Sequence, residues 1–464
     1  MLDNIGATSN IEKVISGGYC IGCGACAVQD GSINIQENAI GLPQARLMHD
    51  SKHGNVCPFG SVVSEDEIAK SLYEVGGHYD KRVGFYVNNY VGFVAESQYR
   101  KKASSGGVIS WVLAELFQKG EIDGVIHVAE GRDSIFEYQV SESLGEIIKR
   151  SKSRYYPVHF NSVLKKVLGN GKKYVFVGVP CFVKSIRLLS ANNKDVAESI
   201  KYCIAIFCGH LKTKAFAEMI AMQQGISPDA IASVDFRVKN LKKPANKYSS
   251  QVFFKNNVGE IEALPPVSTQ KLYGLDWGLG YFKPKACDWC DDIAGETADL
   301  SCGDAWLPET VKDPLGTNIV IVRNRIIDNI LKEGVDRGSL VLRVVSVDKV
   351  YESQAGNYRH RREGLSVRLK DAETQGAWTP MKRVKVAEHE EVEARRKKIY
   401  RLREKISRRS HFAFKKSKTK SNFILFMVRM LPFELYYYFL NKRLFRGAVK
   451  LLYQYAQYLI RRIK

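Results

Sequence analysis

Short, unbroken apolar runs recur through the middle of the chain, and they predict buried strands. Runs of this length with few polar positions are typical of strands covered on both faces of a sheet. The four clearest are GVIHVA (124–129), KYVFVGVP (173–180), YCIAIFCG (202–209) and NIVIVRN (318–324). Two shorter candidates are SVDFRV (233–238) and QVFFKN (251–256).

Helical patterns alternate with these runs. Apolar residues recur at helical spacing in GGVISWVLAELFQKG (106–120) and CFVKSIRLLS (181–190). We therefore predict a mixed α/β fold built around residues 85–345. Three further zones flank it: a small cysteine-bearing segment (1–78), a polar connector (346–394) and a basic, helix-prone tail (395–464).

The formal charge of the 464-residue chain, +21, is concentrated in the tail. Residues 395–464 contain 21 Lys and Arg residues against two carboxylates, Glu404 and Glu434, which gives a charge of +19. The first 394 residues therefore carry only +2. Because phosphate binding usually needs positive charge across the docking face, the nearly neutral body argues against a nucleic-acid-binding protein.

The tail also contains a strongly apolar stretch, SNFILFMVRMLPFELYYYFL (421–440), between basic flanks. Arg429, Pro432 and Glu434 interrupt it and argue against a membrane-spanning helix. Apolar and aromatic residues between basic clusters suit a helix that lies on an anionic membrane surface. A pair of helices packed on the body with a solvated basic face fits equally well, and both interpretations stay open.

Ten cysteines in a chain of this length indicate metal or redox chemistry rather than a disulfide scaffold. The N-terminus has neither a basic start nor a long apolar run, so we expect no signal peptide. We accordingly expect a cytoplasmic protein, peripheral on the inner face of the membrane if the tail binds lipid.

The densest motif is CIGCGAC, which places Cys20, Cys23 and Cys26 on one short loop, with Cys57 following before a proline. Three thiolates on a compact loop, plus a remote Cys-Pro, are typical of a bacterial-ferredoxin [4Fe–4S] site. Structural zinc sites more often use two separated cysteine pairs, so zinc is the less favoured alternative. Unrelated buried cysteines are a third.

A second set of cysteines is predicted at the carboxyl ends of the strands, where ligands collect in open α/β sheets. Cys181 and Cys208 each follow a predicted strand, and the pair Cys287 and Cys290 completes four thiols. Such a set suits either a second [4Fe–4S] cluster or a zinc ion.

Two cysteines are left over. Cys203 lies five residues before Cys208, and this odd spacing points its side chain to the opposite face of the strand. We expect it to be a small buried hydrophobe. Cys302, in DLSCGDAW, fits either a buried bystander or a site residue.

The stretch ASSGGV (103–108) precedes an apolar helix and fits two roles. Ser104 or Ser105 can cap that helix, whereas the two following glycines would let a phosphate approach the helix N-terminus. By pattern alone, a capped helix without a ligand is favoured. Asp304 similarly fits either a ligand contact or ordinary turn chemistry.

Taken together, these motifs resemble the beta-subunit family of the coenzyme F420 (deazaflavin) hydrogenases and dehydrogenases. In chain order the matching elements are SSGGV (104–108), KSRYYP (152–157), VGVPC (177–181), IFCGH (206–210), CDWCDD (287–292) and ADLSCGDAW (298–306). The N-terminal cysteine region resembles the ferredoxin-like segment attached to many members. The simplest members lack that segment, and the basic tail is not part of the shared core.

The resemblance implies a flavin enzyme that binds FAD beside a [4Fe–4S] cluster in its central α/β domain. It implies cluster ligands at Cys181, Cys208, Cys287 and Cys290. It places the flavin contacts at Ser104, Ser105, Gly106, Gly107, Arg154, Tyr155 and Asp304.

The resulting hypothesis is an iron–sulfur flavoprotein oxidoreductase. Electrons from a ferredoxin-type donor would pass through two [4Fe–4S] clusters to FAD, and then to a small-molecule or glycan-precursor substrate. The resemblance also implies a connection with cell-surface polysaccharide synthesis, with which some members are associated. The alternative is a non-catalytic electron-transfer subunit of a larger redox complex. No catalytic acid or base is identified.

Overall fold

The structure, a computed structural model, describes residues 10–48, 55–132, 134–389 and 391–463. The expectation about a signal peptide falls partly on residues 1–9, which lie outside the described residues. The cysteine-bearing N-terminal segment consists of short elements: α1 (Ile11–Ser16), α2 (Ala25–Gln29), β1 (Asn34–Glu37), β2 (Pro43–Arg46), α3 (Glu65–Tyr73), β3 (His78–Asp80) and β4 (Gly84–Tyr86).

Two antiparallel strand pairs, β1 with β2 and β3 with β4, hold this segment together. Helix α3 begins at a capping box: the Ser64 hydroxyl accepts from the Glu67 N–H, and the Glu67 carboxylate accepts from the Ser64 N–H. The buried Lys184 ammonium pairs with Glu65 at 3.1 Å, which fixes the start of α3 against the central domain.

The central domain contains twelve strands among the described residues. They are β5 (Asn88–Val94), β6 (Gly124–Glu130), β7 (Phe136–Ser141), β8 (Tyr174–Gly178), β9 (Ile200–Ile206), β10 (Ile231–Val238), β11 (Ser249–Lys255), β12 (Ile261–Ala263), β13 (Val267–Ser268), β14 (Leu300–Asp304), β15 (Asn318–Val322) and β16 (Leu340–Val344).

Eight of these strands form one mixed sheet in the order β16-β5-β15-β14-β9-β8-β6-β7. The four strands β6, β8, β9 and β14 run parallel to one another. The outer strands are joined by antiparallel pairings: β7 with β6, β15 with β14, β5 with β15 and β16 with β5. Strands β10 to β13 form a separate antiparallel sheet. All six apolar runs named from the sequence contain a strand, and the predicted α/β class is confirmed.

Helices connect and cover the strands of the large sheet. They are α4 (Ser97–Lys102), α5 (Val108–Gln118), α6 (Leu144–Lys149), α7 (Asn161–Val167), α8 (Pro180–Asn192), α9 (Lys194–Ser199), α10 (Ala215–Met222) and α11 (Arg325–Asp336). Helix α8 starts directly after β8 because Pro180 occupies its first turn, where a missing N–H costs nothing. This start places the next residue, Cys181, at the carboxyl end of the sheet.

The polar connector is helical and packs against the body. It contains α12 (Val347–Ser353), α13 (Ala355–Arg361) and α14 (Glu363–Thr374). The chain after α14 crosses back over the N-terminal segment, where the Arg383 guanidinium pairs with Asp66 at 2.9 Å and with Glu296 at 2.6 Å. Arg383 thereby links residues on both sides of the boundary predicted near residue 80.

The tail forms three long helices: α15 (Ala394–Thr419), α16 (Phe423–Leu440) and α17 (Leu444–Ile463). Helices α16 and α17 form an antiparallel hairpin, since the Phe423 and Tyr458 rings meet at one end and Gly447 lies against Tyr438 at the other. Phe426 packs among aromatic residues of the body, with its ring centroid 5.7 Å from that of Phe282. The tail is thus docked on the body.

One carboxylate is buried beneath this docked tail. Glu434 on α16 is 1% exposed, one of its oxygens has no hydrogen-bond partner in the described residues, and it faces Tyr273, Tyr281, Lys450 and Asp276. Burial raises the pKa of Glu434 to about 7, whereas an unfolded glutamate titrates near 4.5. The folded tail therefore binds a proton that the unfolded tail releases.

Glu434→Gln should raise stability at pH 8 and leave it nearly unchanged at pH 4. The folded pKa lies above the unfolded one, so the wild type loses stability as pH rises from about 4.5 through 7, by up to roughly 3 kcal/mol. Glutamine does not ionise and should abolish this loss. Thermal unfolding followed across pH checks it, with the exposed Glu391→Gln as the control; equal pH slopes for Glu434→Gln and wild type would contradict the assignment.

Candidate functional site

The motif CIGCGAC forms a tight loop that ends in α2. Gly22 has a φ of +67°, and a Cβ there would lie 2.2 Å from the Pro43 carbonyl oxygen, so only glycine fits. Gly24, with a φ of +93°, is the N-cap of α2. These turns bring the first predicted thiol set together around one cavity: Cys20, Cys23, Cys26 and Cys57.

The first cavity is otherwise lined by apolar side chains, among them Ile11, Val14 and Phe59. Burial raises the pKa of Cys23 to about 11 and that of Cys57 to about 12, and neighbouring thiols add to both shifts. Metal ligands must be thiolates, so this set needs a positively charged group among its sulfurs to ionise near neutral pH.

The second predicted thiol set also surrounds a single cavity. Cys181 follows β8, Cys208 follows β9, and these two strands are parallel neighbours, so both thiols reach the same edge of the sheet. Cys287 lies in a short 3-10 helix, Lys285–Trp289, and Cys290 comes directly after it. All four cysteines line the cavity, together with Leu211, Asp292 and Arg361.

Arg361 is the cation of this second cavity, and the sequence did not single it out. Its guanidinium, 2% exposed, donates to the carbonyl oxygens of Cys208 and Gly209 at 2.9 and 2.8 Å and to that of Cys290 at 3.3 Å. The pKa values of Cys208 and Cys290 are raised by burial, and the Arg361 charge opposes that rise. Arg361 thus favours thiolates here.

The two cavities are neighbours. Ile21 and Phe59 line both of them, so these side chains form a common wall. Cys23 of the first set is close enough to Cys181 of the second for its charge to raise the pKa of Cys181, after burial and the other thiols of that set. The first thiol loop also contacts the central domain through its backbone, because the Phe160 N–H donates to the Cys23 carbonyl oxygen at 3.0 Å.

The donor chemistry of both cavities fits iron–sulfur clusters. Each presents four cysteines, the ligand set of [4Fe–4S] clusters, on walls that are largely apolar in the first cavity and carry Arg361 in the second. Within the described ranges, no three His, Cys, Asp or Glu side chains are arranged to hold a single metal ion.

The remaining cysteines, Cys203 and Cys302, line neither cavity. Cys203 is fully buried inside β9, and its N–H donates to the Asp299 carboxylate at 2.7 Å. Cys302 is 2% exposed inside β14 and packs in the core between the sheet and α5. Both are placed as buried strand residues.

The turn SSGGV precedes α5, but neither serine caps that helix. Its N-cap is Gly107, with a φ of +90°, and the first free N–H, that of Val108, donates to the Asn318 side chain at 3.2 Å. Ser105 donates instead to the Thr317 carbonyl oxygen, and Ser104 accepts from the Ser153 N–H. The expected serine cap is therefore wrong, and Asn318 on β15 takes that role.

Positive side chains converge on this turn, and the sequence did not identify them. The Lys239 ammonium donates to the Ser105 carbonyl oxygen at 2.9 Å. Burial lowers the pKa of Lys239 to about 7, and Arg100, Lys152 and Arg237 lower it further by charge repulsion. Arg100, Lys152 and Arg237 are each ion-paired, with Asp313, Asp235 and Asp304 respectively. Lys239 is therefore the cation of this group without a carboxylate partner among the described residues, and its place at the glycine turn suits an anion such as a diphosphate.

Tyr155 and Asp304 meet beside this group of cations. The Arg237 guanidinium holds the Asp304 carboxylate with two bonds of 2.7 and 2.9 Å, and the Tyr155 phenol interacts with both. Asp304 pairs across the sheet with Asn318, whose side chain accepts from the Val108 N–H, so Asp304 lies near the glycine turn. Arg154 points elsewhere: it stacks on the Phe136 ring at 5.0 Å.

Aromatic rings extend from the second thiol set to Tyr155. His210, two residues after Cys208, lies with its ring centroid 4.6 Å from that of Trp277, and Trp277 lies 4.9 Å from Tyr155. Burial, with Lys212, holds the pKa of His210 well below its usual range, so the imidazole is neutral. These three rings meet edge to face or tilted, and they connect the second thiol set with Tyr155.

Comparisons with known proteins identify related chains. Residues 89–165 match the family described as coenzyme F420 hydrogenase/dehydrogenase, beta subunit N-term, and residues 171–347 match the C terminus of the same subunit. One subunit of the F(420)H(2) dehydrogenase of Methanosarcina mazei is 24% identical over 68% of this chain and 82% of its own length. An uncharacterised protein of Methanocaldococcus jannaschii is 27% identical over 51% of this chain, which spans 61% of that relative.

One solved structure also aligns with the chain. It is a chain of the F420-reducing [NiFe] hydrogenase complex from Methanosarcina barkeri, with 17% identity and a TM-score of 0.48, covering 66% of this chain and 98% of that one. Both family matches lie within residues 89–347, so the first thiol set and the three tail helices fall outside them.

Proposed function

Because the chain belongs to the coenzyme F420 hydrogenase/dehydrogenase beta-subunit family, we propose that it is an oxidoreductase holding two [4Fe–4S] clusters and one FAD. One observation carries the proposal: eight of the ten cysteines line two four-thiol cavities that share the wall formed by Ile21 and Phe59. Such a pair of sites suits electron transfer over a short path.

The two cavities surround their thiols with different side chains. Apolar side chains around the first thiol set exclude water, and Arg361 offsets negative charge at the second. When bound, clusters carry single electrons and a flavin couples them to two-electron chemistry. The chain's own part is to hold the thiolates, set the local charge and keep solvent away.

The flavin would occupy the space beside the glycine turn. Lys239 would attract its diphosphate, whereas Arg237, Lys152 and Arg100 would have to exchange their carboxylate partners for it. A Cβ on Gly107 would lie 3.2 Å from the Arg100 backbone nitrogen, so this glycine serves the close packing of α5 on α4. The rings of Tyr155 and Trp277 would face the planar part on the side nearest Cys208. Among the residues expected to contact flavin, Arg154 has the weakest support because it stacks on Phe136.

The electron donor and the substrate follow only from the resemblance. A ferredoxin-type donor would act at the first thiol set, and the substrate would be a small molecule or glycan precursor. The link to polysaccharide synthesis stays a prediction. The second candidate function is an electron-transfer subunit without a substrate of its own, which two neighbouring thiol sets would also serve.

The test is anaerobic purification of the full chain with iron, sulfide, zinc and flavin quantified. About eight iron and eight sulfide per chain are expected for two [4Fe–4S] clusters, together with one FAD. Stoichiometric zinc without iron would overturn the proposal. Eight iron without flavin would favour the electron-transfer subunit, and a reduced flavin that turns over a small acceptor would favour the enzyme.

A further inference from the structure

The tail exposes an unusual amount of apolar surface. Of the 26 large hydrophobic side chains that are exposed among the described residues, 13 belong to the segment 412–463. A chain of this size rarely leaves so many apolar residues together at its surface without a use, because each contact with water is unfavourable. The segment contains the α16–α17 hairpin.

Helix α17 is apolar on two opposite faces. Its inner face is a buried stripe at helical spacing, formed by Gly447, Leu451, Gln454 and Tyr458, and Gln454 anchors it by donating to the Leu272 carbonyl oxygen at 2.8 Å. The outer face is also apolar but exposed: Phe445, Val449, Leu452, Ala456, Leu459 and Ile460. Packing on the body explains why the inner face is apolar, but it does not explain why the outer face is.

Helix α16 has a similar outer stripe. Val428, Leu431, Tyr436 and Phe439 are exposed at helical spacing, and the rings of Tyr436 and Phe439 stack. By length and composition α16 is the one helix in the described part of the chain that could cross a membrane. Its inner residues Phe426 and Met430 are fully buried in the protein core, so the helix lies on the body.

Most positive side chains near these apolar faces have no acidic partner among the described residues, although Lys450 pairs with Asp276 of the body at 3.0 Å. Neither carboxylate of the tail is exposed, since Glu434 is buried and Glu404 is half-buried. Five exposed cations of the hairpin lie beyond 4.0 Å of any carboxylate in the described residues: Arg429, Lys442, Arg443, Arg446 and Arg462. Apolar and aromatic side chains flanked by unpaired cations match an anionic lipid surface. The lipid interior accepts the apolar side chains, and the anionic headgroups attract the cations.

We propose that the α16–α17 hairpin docks the protein on an anionic lipid bilayer, lying flat with its outer face in the headgroup region. Phe445, 82% exposed, and Leu452, 70% exposed, enter the lipid. Arg443 and Arg446 bind headgroup phosphates. A nucleic acid would use the cations but not the apolar stripe, and a second copy of this chain would bring the same cations into repulsion.

The test is flotation of the full chain with vesicles of phosphatidylcholine alone and of phosphatidylcholine mixed with phosphatidylglycerol. The wild type should float with the mixed vesicles, and binding should weaken with added salt. Phe445→Glu/Leu452→Glu should lower the partition coefficient at least about tenfold, since two anchoring side chains become charged. The control Val258→Glu, at a 79% exposed position on the turn between β11 and β12, should float like the wild type.

Three outcomes would overturn the proposal. The first is no flotation of the wild type with mixed vesicles, and the second is equal flotation of wild type and Phe445→Glu/Leu452→Glu. The third is a wild-type dimer in vesicle-free solution that the double substitution makes monomeric without changing flotation, which would assign the face to a second copy. Arg443→Gln/Arg446→Gln should weaken binding to the mixed vesicles and reduce its salt dependence, which a purely apolar contact would not show.

Discussion

Cys23→Ser should remove about half of the iron from the anaerobically purified protein and leave the flavin bound. Cys23 belongs to the first cavity, and serine offers no thiolate, so the four-thiol set loses one ligand. The second cavity keeps its own four cysteines and Arg361, and the glycine turn is untouched. Iron, sulfide and FAD per chain, with electron paramagnetic resonance of the reduced protein, give the measurement.

Cys203→Ser is the matched control for this experiment. Cys203 is also buried but lies inside β9 and lines neither cavity, so its substitution should keep all of the iron. If Cys23→Ser lost all iron and flavin while Cys203→Ser lost none, the two thiol sets would depend on each other, and the common wall of Ile21 and Phe59 would be the place to seek the reason. If Cys23→Ser kept all of its iron, Cys23 would not be a ligand of the first cluster.

Arg361→Gln should release the iron of the second thiol set to a chelator at least about tenfold faster than the wild type does. Arg361 lines this cavity, and removing it takes away the strongest compensating charge from the buried thiolates, leaving the weaker effects of Lys283 and Lys382. Release from the first set should keep its wild-type rate. Anaerobic release followed by absorbance should therefore separate into two phases.

Two further variants sharpen that measurement. Arg359→Gln removes an exposed arginine from the same helix, α13, and should leave both phases unchanged. Arg361→Lys keeps the charge but not the forked set of donors that reaches the carbonyl oxygens of Cys208, Gly209 and Cys290, and it should recover part of the wild-type rate. Identical release from Arg361→Gln and wild type would mean that charge compensation comes from elsewhere.

The sequence predicted what depends on short-range pattern. In the large sheet, apolar runs located β6, β8, β9 and β15 but not β5, β7 or the inner strand β14. Because parallel strands end at one edge, Cys181 and Cys208 were expected together. Strand β16, at the edge of the sheet, was missed because Arg343 and two exposed valines obscure its apolar alternation. The connector was predicted only as a polar segment because its many polar and charged residues obscure the helical pattern. Its helices nevertheless bury Arg361.

Residues that act across long sequence separations gave no pattern to find. Arg361 approaches Cys290 from 71 positions away, and Lys239 approaches Ser105 from 134. Asn318, which replaces the expected serine cap of α5, belongs to a strand about two hundred residues further on. In the tail, the interpretation of helices packed on the body describes the inner faces of α16 and α17. Their outer faces stay exposed, and the membrane interpretation stays a prediction for them.

The common wall between the cavities has a consequence for modularity. Residues 1–78 resemble an attached module, and the family matches begin only at residue 89. Yet Val14 and Phe59 belong to the same hydrophobic core as Phe176 and Phe182 of the central domain. Cutting the chain at this boundary would expose the apolar side chains of α7 and α8 that this core covers, so we expect the two parts to unfold as one cooperative unit.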